Sequence, residues 1–229
     1  MAAMRILAAL LAAFVSLPSL NCAAVPFSVR LGIERIVLDS PPGFTDTTEH
    51  ASPRLQDLAE TLTSASNRIL LFALSDADVR RFTNGERLEA RRYMIAVTPK
   101  GLERERVTQA QFTALAADSL RELGKPVEAA DLIKFLERQP VGRLHLIAEL
   151  KKDAAMSSVL QATRLPPLPG GAFQGSTPQY LFSTTTLFLL RGKAIQIAVY
   201  TLFDSTDDVD WLKSITERWI EELQRLNPR

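Results

Sequence analysis

The sequence predicts an α+β protein with a largely antiparallel sheet flanked by helices, ending in a long β-hairpin and a C-terminal helix. Short apolar runs of strand length recur along the chain between segments with helical spacing of apolar residues. Two strand-like segments flank Arg191-Gly192-Lys193, and an amphipathic stretch follows them. Because strands joined by a tight turn pair antiparallel, these observations favour an antiparallel sheet with helices packed against it.

The composition excludes several classes of protein. The chain has 229 residues, of which 46% are hydrophobic and 23% are charged, as in globular proteins rather than disordered or fibrous ones. Its 27 basic residues balance 26 acidic residues, so a nucleic-acid-binding protein is not expected. The single cysteine, Cys22, excludes a disulfide bond within the chain.

The N-terminus has the pattern of a secretory signal peptide. Arg5 precedes an uncharged apolar run over residues 6–15, and the small residues Ala23 and Ala24 follow it. The run is shorter than the roughly 20 residues that a membrane-spanning helix needs. We expect a signal peptide over residues 1–24 and a single α+β domain over residues 25–229. The mature chain would be periplasmic or secreted, with no transmembrane segment; a retained N-terminal anchor helix is the alternative.

Cys22 offers a second alternative, an envelope protein that is anchored through a lipid on this cysteine. Bacterial lipoproteins have an aliphatic residue three positions before the lipidated cysteine and a small residue directly before it. Ser19 and Asn21 occupy those positions here. Cleavage after Ala24 is therefore preferred, and it would remove Cys22 with the leader.

The first half of the mature chain predicts alternating strands and helices. In order, these are a strand at 35–38, a helix starting at Ser52-Pro53, a strand at 69–74, a short helix at 75–82 and a strand at 93–97. Ser52 provides a hydroxyl cap, and proline is favoured in the first helical turn. The run 69–74 is apolar throughout, which is typical of a strand buried on both faces.

The second half predicts three helices and four strands. In order, these are a helix after the capping box of Thr108 and Gln111, a helix at 126–138, a strand around 143–150, a short strand at Val159-Leu160, hairpin strands at 180–190 and 194–203, and a helix from Ser205 or Thr206. In the strand at 143–150, alternation places Leu144 and Leu146 on the core face and His145 on the more polar face. The apolar stripe of the last helix contains Leu212, Ile215, Trp219, Leu223 and Leu226.

The two histidines are the candidate catalytic residues. A hydrolase needs a base beside a nucleophile, and His50 or His145 could serve as that base. The sequence contains no Gly-x-Ser-x-Gly motif, and 95 positions separate the histidines. We therefore expect packed or surface histidines, with a hydrolase as the alternative function.

The acidic cluster Asp204, Asp207, Asp208 and Asp210 is the candidate metal site. Its spacing lacks the glycine and the distal glutamate of a calcium loop. Carboxylates also stabilise the N-terminal end of a helix, and one is predicted here. We therefore expect no metal and no cofactor.

The proline-rich loop from Leu165 to Gly171 is the candidate docking segment. Such a segment can adopt polyproline II geometry and bind a partner, here an envelope protein. The alternative is a stiff connecting loop.

Two parts of the sequence resemble the PsbP-like and DcrB-like proteins. The stretch from Arg35 to Phe44 resembles the strand and Pro-Gly-aromatic turn that open members of this family, and residues 182–226 resemble their closing hairpin and helix. The resemblance implies an α/β/α sandwich around an antiparallel sheet and a non-enzymatic accessory or assembly role. It places no functional residue on this sequence. Over its whole length the chain resembles exported bacterial proteins.

Export and the missing catalytic motif together predict a non-catalytic binding or accessory factor of the bacterial cell envelope. The hydrolase and the lipid-anchored protein are the two alternatives.

Overall fold

The computed structural model describes residues 26–48, 52–166 and 178–228. The predicted signal peptide with Cys22, His50, and residues 167–171 of the candidate docking loop lie outside these ranges. The described elements are β1 (Phe27–Leu31), β2 (Glu34–Leu38), β3 (Phe44–Asp46), α1 (Pro53–Thr61), β4 (Asn67–Ser75), α2 (Asp76–Thr83), β5 (Arg92–Pro99), a 3-10 turn (Lys100–Leu102), α3 (Gln109–Leu123), α4 (Leu132–Glu137), β6 (Leu144–Asp153), β7 (Met156–Arg164), β8 (Tyr180–Leu190), β9 (Lys193–Leu202) and α5 (Thr206–Leu226).

Seven strands form one antiparallel sheet in the order β3-β4-β5-β9-β8-β7-β6. The predicted α+β class, the closing hairpin and the C-terminal helix are confirmed. The sheet consists of two halves that are each continuous in sequence, β3 to β5 and β6 to β9. The ladder between β5 and β9 joins them, with Arg92 opposite Thr201 and Val97 opposite Gln196.

Helices cover both faces of the sheet. On the first face, α5 packs on β8 and β9 together with the separate β1–β2 hairpin. On the second face, α1 packs over β4 and β5, and Phe112 of α3 packs near the start of β9. Neighbouring side chains along a strand point to opposite faces, so each central strand contributes to both layers.

The apolar stripe of α5 anchors the first face. Leu212, Ile215, Trp219 and Leu223 are all buried, and Leu226 is half-buried. Burial of a large apolar side chain contributes about 1.5–3 kcal/mol, so this stripe is a large part of the core. The hydroxyls of Thr184 and Thr216 also form a 2.5 Å hydrogen bond across this interface.

The β8–β9 hairpin has a tighter turn than the sequence predicts. Lys193 is the first residue of β9, so Arg191 and Gly192 alone form the turn. Both have positive φ, +51° and +77°, which is the pattern of a type I′ turn. This turn type matches the twist of the strands that it connects.

The predicted helix at 126–138 is wrong over its first half, because α4 begins only at Leu132. The backbone N–H of Val127 donates to the carbonyl of Leu146, so the preceding segment lies along the edge of β6. Asp131 then caps α4 by accepting a hydrogen bond from the N–H of Lys134. The chain thus gains an edge contact and a helix start that periodicity alone does not distinguish from one longer helix.

Two further local predictions need correction. Ser52 precedes α1, but its side chain makes no capping hydrogen bond, and Pro53 alone marks the helix start. The predicted short strand at Val159-Leu160 is the nine-residue β7, Met156–Arg164. Its many Ser, Thr and Gln side chains conceal a strand that is buried on both faces.

Candidate functional site

His145 lies on the apolar face of β6, contrary to the predicted alternation. It is 9% exposed, and its ring meets that of Phe135 edge-on at 5.2 Å between centroids. Its register partner is Ala162, whose side chain lies in the core of the first face, and the helix that packs on β7 is α4. Shifts in register between Leu146 and Ala148 show why simple alternation fails along this strand.

The surroundings of His145 are those of a packed neutral imidazole. Burial, and secondarily the charge of Arg143, lower its pKa below 6.5. Its Nε2 atom is buried and has no hydrogen-bond partner among the described residues. A general base needs a hydrogen bond to a nucleophile, and no such contact is present within the described ranges.

Three of the four aspartates of the candidate metal cluster have separate ion-pair partners near the start of α5. Asp204 pairs with Arg91, Asp208 with Arg92, and Asp210 with Lys213. Asp207 lies in the first turn of the helix. Within the described residues, no three His, Cys, Asp or Glu side chains converge as a metal site requires.

Asp208 closes the capping box of α5. Its carboxylate accepts hydrogen bonds from the backbone N–H groups of Asp204 and Ser205 and from the guanidinium of Arg92, at 2.8–3.1 Å. Burial alone would raise the pKa of this carboxyl, but the three donors outweigh it and the pKa is lowered. The guanidinium of Arg92 also lies 4.0 Å from the ring centroid of Trp211. These interactions of Asp208 and Arg92 hold α5 to β5, and this structural role explains why the charged residues lie here.

The best candidate binding site is a cleft of about 450 Å³ between α3 and the second face of the sheet, hereafter the α3 cleft. Strands β7, β8 and β9 form its floor, where Gln161, Thr185 and Gln196 occupy diagonal positions on one face of the sheet. The side of α3 that faces the floor provides Ala116, Ser119 and Leu120. Leu144, at the start of β6, closes one side and is 41% exposed.

The floor of the α3 cleft carries several polar side chains beside the apolar Val159 and Leu187, where a sheet face beneath a helix is usually apolar throughout. Ser157 and Gln161 are 7% and 5% exposed, and the Gln161 side chain accepts a 3.2 Å hydrogen bond from the hydroxyl of Thr185. Beneath α1, the same face is apolar, with Phe72, Ile95 and other large side chains. Polar side chains at this position leave donors and acceptors within reach of a ligand in the cleft.

Tyr200 marks the boundary between the two parts of this face. Its ring stacks on that of Tyr93 with 4.7 Å between centroids, and it also lines the α3 cleft. Burial raises the pKa of Tyr200, so the phenol is neutral at physiological pH and can donate a hydrogen bond. Glu122 is the one charged residue among the described lining residues of the cleft.

Two larger clefts lie elsewhere in the described structure. One of about 590 Å³ borders α1 and the start of β4, next to the undescribed residues 49–51. The other, of about 640 Å³, is lined by Glu34, Arg106, Arg191 and neighbours near the β8–β9 turn. Buried Thr47 lines the first of these, and its hydroxyl donates to the carbonyl of Phe72.

Leu165 and Pro166 are the described residues of the candidate docking loop. The backbone N–H of Leu165 donates to the carbonyl of Gln179, which extends the β7–β8 pairing by one step. The Leu165 side chain lines a small apolar cavity of about 210 Å³ with Leu58 and Leu181. This end of the loop is therefore tied to the sheet.

Sequence reasoning did not find the α3 cleft. Its polar floor residues come from three strands, and Gln161 and Gln196 are far apart in the chain. The usable signal was the excess of Ser, Thr and Gln at alternate positions of strands otherwise rich in apolar residues, such as Ser157, Gln161 and Thr185. That pattern indicates a polar sheet face only once the helix above it is known.

No family model matches the chain, and no curated protein matches it. Among solved structures, the crystal structure of the Saccharomyces cerevisiae Ran-binding protein Mog1p is similar with a TM-score of 0.40 and 11% identity, covering 89% of this chain and 95% of that one. A mutant of protein Mog1 gives the same TM-score and identity over 88% and 94% of the two chains. A TM-score this low supports no inference about this chain. Of the helices in the described ranges, none is long and apolar enough to cross a membrane.

Proposed function

We propose that this chain is an exported, non-catalytic binding protein of the bacterial cell envelope that holds an uncharged segment of a partner protein in the α3 cleft. The observation that carries the proposal is the polar floor formed by buried Ser157 and Gln161 beneath α3. The leader pattern of residues 1–24 supports export.

The lining of the α3 cleft suits a neutral peptide. Hydroxyl and amide groups from Ser119, Gln161 and Gln196 can pair with backbone N–H and C=O groups, and Leu120 and Leu144 can contact apolar side chains. Tyrosine is enriched at protein interfaces, and Tyr200 offers both a ring and a neutral hydroxyl. A charged ligand would find little complementarity, because Glu122 is the one charge among the described lining residues.

The energetic reason is that a bound segment can use polar groups that the floor pairs only in part. The side-chain oxygen of Gln161 accepts a hydrogen bond from Thr185, which leaves the amide N–H groups of Gln161 for a ligand. Each added hydrogen bond contributes about 0.5–1.5 kcal/mol net, and covering the leucines of the cleft adds apolar burial. The fold retains polar residues at this position at the expense of a continuous apolar core.

Site-specific photo-crosslinking in a bacterial host tests the proposal. A photoreactive residue at position 196, on the cleft floor, should yield an adduct with one defined partner, and Gln161→Leu should reduce the yield at least fivefold. The matched control places the photoreactive residue at position 80, where Arg80 is exposed on α2. Equal adducts at both positions, or a yield that Gln161→Leu does not change, would contradict binding in the α3 cleft.

Mass spectrometry of the mature N-terminus tests the export part separately. A chain that starts at Val25 supports cleavage of the signal peptide, and a lipidated N-terminal Cys22 favours the anchored alternative. Recovery of the chain from the cytosol with Met1 or Ala2 at its start would contradict export while leaving the cleft proposal standing.

A further inference from the structure

The turn of the β1–β2 hairpin presents an exposed aliphatic side chain. Ile33 is 95% exposed, more than any other large hydrophobic side chain in the described residues. Gly32, the other turn residue, has a φ of +58°, and a Cβ atom there would lie 3.0 Å from the carbonyl oxygen of Arg104. The hairpin turn therefore rests directly on the backbone of a neighbouring loop, and Ile33 points away from the protein.

Arginines surround this turn. Arg30 and Arg35 lie directly opposite each other in the β1–β2 ladder, and both are exposed. Like charges at opposed ladder positions destabilise a hairpin. Among the described residues, neither arginine forms an ion pair that would offset this repulsion.

Three more arginines extend the positive surface. Arg104 is exposed beside Gly32, and Arg106 and Arg191 share a single carboxylate, that of Glu34, at 3.6 and 3.5 Å. The same loop also carries Glu103, which pairs with Arg68, and the exposed Glu105. The basic tip, defined as Arg30, Ile33, Arg35, Arg104, Arg106 and Arg191, thus concentrates positive charge on a chain whose net charge is +1.

A buried lysine fixes the basic tip from beneath. Lys193 is 2% exposed, and its ammonium group donates to the carbonyl oxygens of Glu103 and Glu105 at 3.1 and 2.6 Å. A Cβ atom on Gly32 would also lie 3.2 Å from this ammonium group. The backbone of the loop that carries Arg104 and Arg106 is therefore held in place.

We infer that the basic tip docks on a membrane surface that contains anionic phospholipids. Ile33 would enter the interface between headgroups and acyl chains, while the arginines contact lipid phosphates. The shape favours lipid over an acidic protein, because a single aliphatic side chain on a two-residue turn needs a ready-made pocket in a protein partner but none in a lipid layer. The basic tip shares no residue with the α3 cleft, so a negative result for one site leaves the other unaffected.

Vesicle flotation of the purified chain tests this inference. We expect binding to vesicles that contain phosphatidylglycerol, little binding to vesicles of phosphatidylcholine alone, and weaker binding at high salt. Each arginine near an anionic surface contributes about fivefold in affinity, so Arg30→Glu with Arg35→Glu should weaken binding at least tenfold. Ile33→Asp should weaken it about fivefold or more. Its exposed position means that the fold does not depend on it.

Matched controls separate the basic tip from general charge. Arg80→Glu with Arg87→Glu makes the same charge change at two other exposed arginines, and Val141→Asp changes another exposed aliphatic residue. Both should leave vesicle binding within twofold of the parent chain. Equal losses in the two arginine pairs, absence of binding to phosphatidylglycerol vesicles, or tighter binding to a polyglutamate peptide than to vesicles would each overturn the inference.

Discussion

The indole Nε1 of Trp219 donates a 2.7 Å hydrogen bond to the backbone carbonyl of Asp39, 180 residues earlier in the chain. The ring of Trp219 is 1% exposed and packs in the core of the first face. Asn227 adds a second link between the same two parts of the chain, because its side chain bonds both the N–H and the C=O of Val37 at 2.8 Å. Polar and apolar contacts thus hold the C-terminal helix against the end of β2 and the residue that follows it.

Trp219→Phe should lower the free energy of unfolding by about 2–3 kcal/mol. The change leaves the partly buried carbonyl of Asp39 without its indole donor and also removes part of a packed ring. Urea unfolding followed by circular dichroism measures the loss. Trp211→Phe is the matched control, because Trp211 is only half-buried and contacts Arg92 at the surface, and it should cost about 1 kcal/mol or less. Equal losses for the two tryptophans would contradict this role for Trp219.

Asp208→Asn should make the free energy of unfolding less sensitive to pH between pH 7 and pH 3. The pKa of Asp208 is lower in the folded chain than its ordinary value of 3.8, so its ionised form stabilises the fold above about pH 4. That contribution is lost as the pH falls through the lowered pKa. We expect the variant to be about 1–2 kcal/mol less stable at pH 7, with a difference that shrinks towards zero below pH 4. Urea midpoints measured between pH 7 and pH 3 test this, and a difference that does not change with pH would contradict it.

His145 should titrate below its ordinary pKa of 6.5, because its burial disfavours the imidazolium form. The unfolded chain then takes up a proton at a higher pH than the folded chain, so stability falls as the pH drops below about 6.5. His145→Leu removes this contribution to the pH dependence. Imidazole proton shifts followed by NMR measure the pKa directly, with the His145 signal identified by its loss in the variant. Titration at or above pH 6.5 would contradict the buried, unpaired environment.

The β8–β9 turn should respond in opposite directions to two substitutions. Arg191 holds a φ of +51°, and asparagine tolerates that conformation better, so Arg191→Asn should stabilise the chain by about 0.5–1 kcal/mol. Gly192→Ala should destabilise it by about 1–2 kcal/mol, because φ is +77° and the new Cβ would lie 3.1 Å from Cγ of Arg106. Thermal unfolding of both variants measures the shifts, and two changes of the same sign would contradict the type I′ turn.

Local signals made much of the fold predictable from sequence. The capping box at the start of α3 is confirmed, with Thr108 and Gln111 exchanging backbone and side-chain hydrogen bonds as predicted. The fully apolar run at 69–74 lies within β4, and the hairpin strands are paired as expected. Each of these features is encoded within a few neighbouring residues, where spacing and residue type suffice.

The candidate site was not predictable, because it depends on distant pairings. His145 and its neighbour Leu146 are both buried although they point to opposite faces of β6, and only the helices packed on each face decide this. The β1 strand at Phe27–Leu31 also went unpredicted, since five residues with modest apolar content give a weak signal next to a leader. The α3 cleft needs both the register of three strands and the position of a helix above them.

The ladder between β5 and β9 has a consequence for biosynthesis. Nearly every residue of β5 is buried, yet its hydrogen-bonding partner on one side is a strand about a hundred residues further along the chain. Until β9 has been synthesised, β5 is an unpaired apolar edge strand in the nascent chain. Such an edge can pair with the same strand of another molecule and cause aggregation. A chain truncated before residue 193 should therefore form inclusion bodies, and holdase chaperones that shield this edge should matter for the yield of the intact protein.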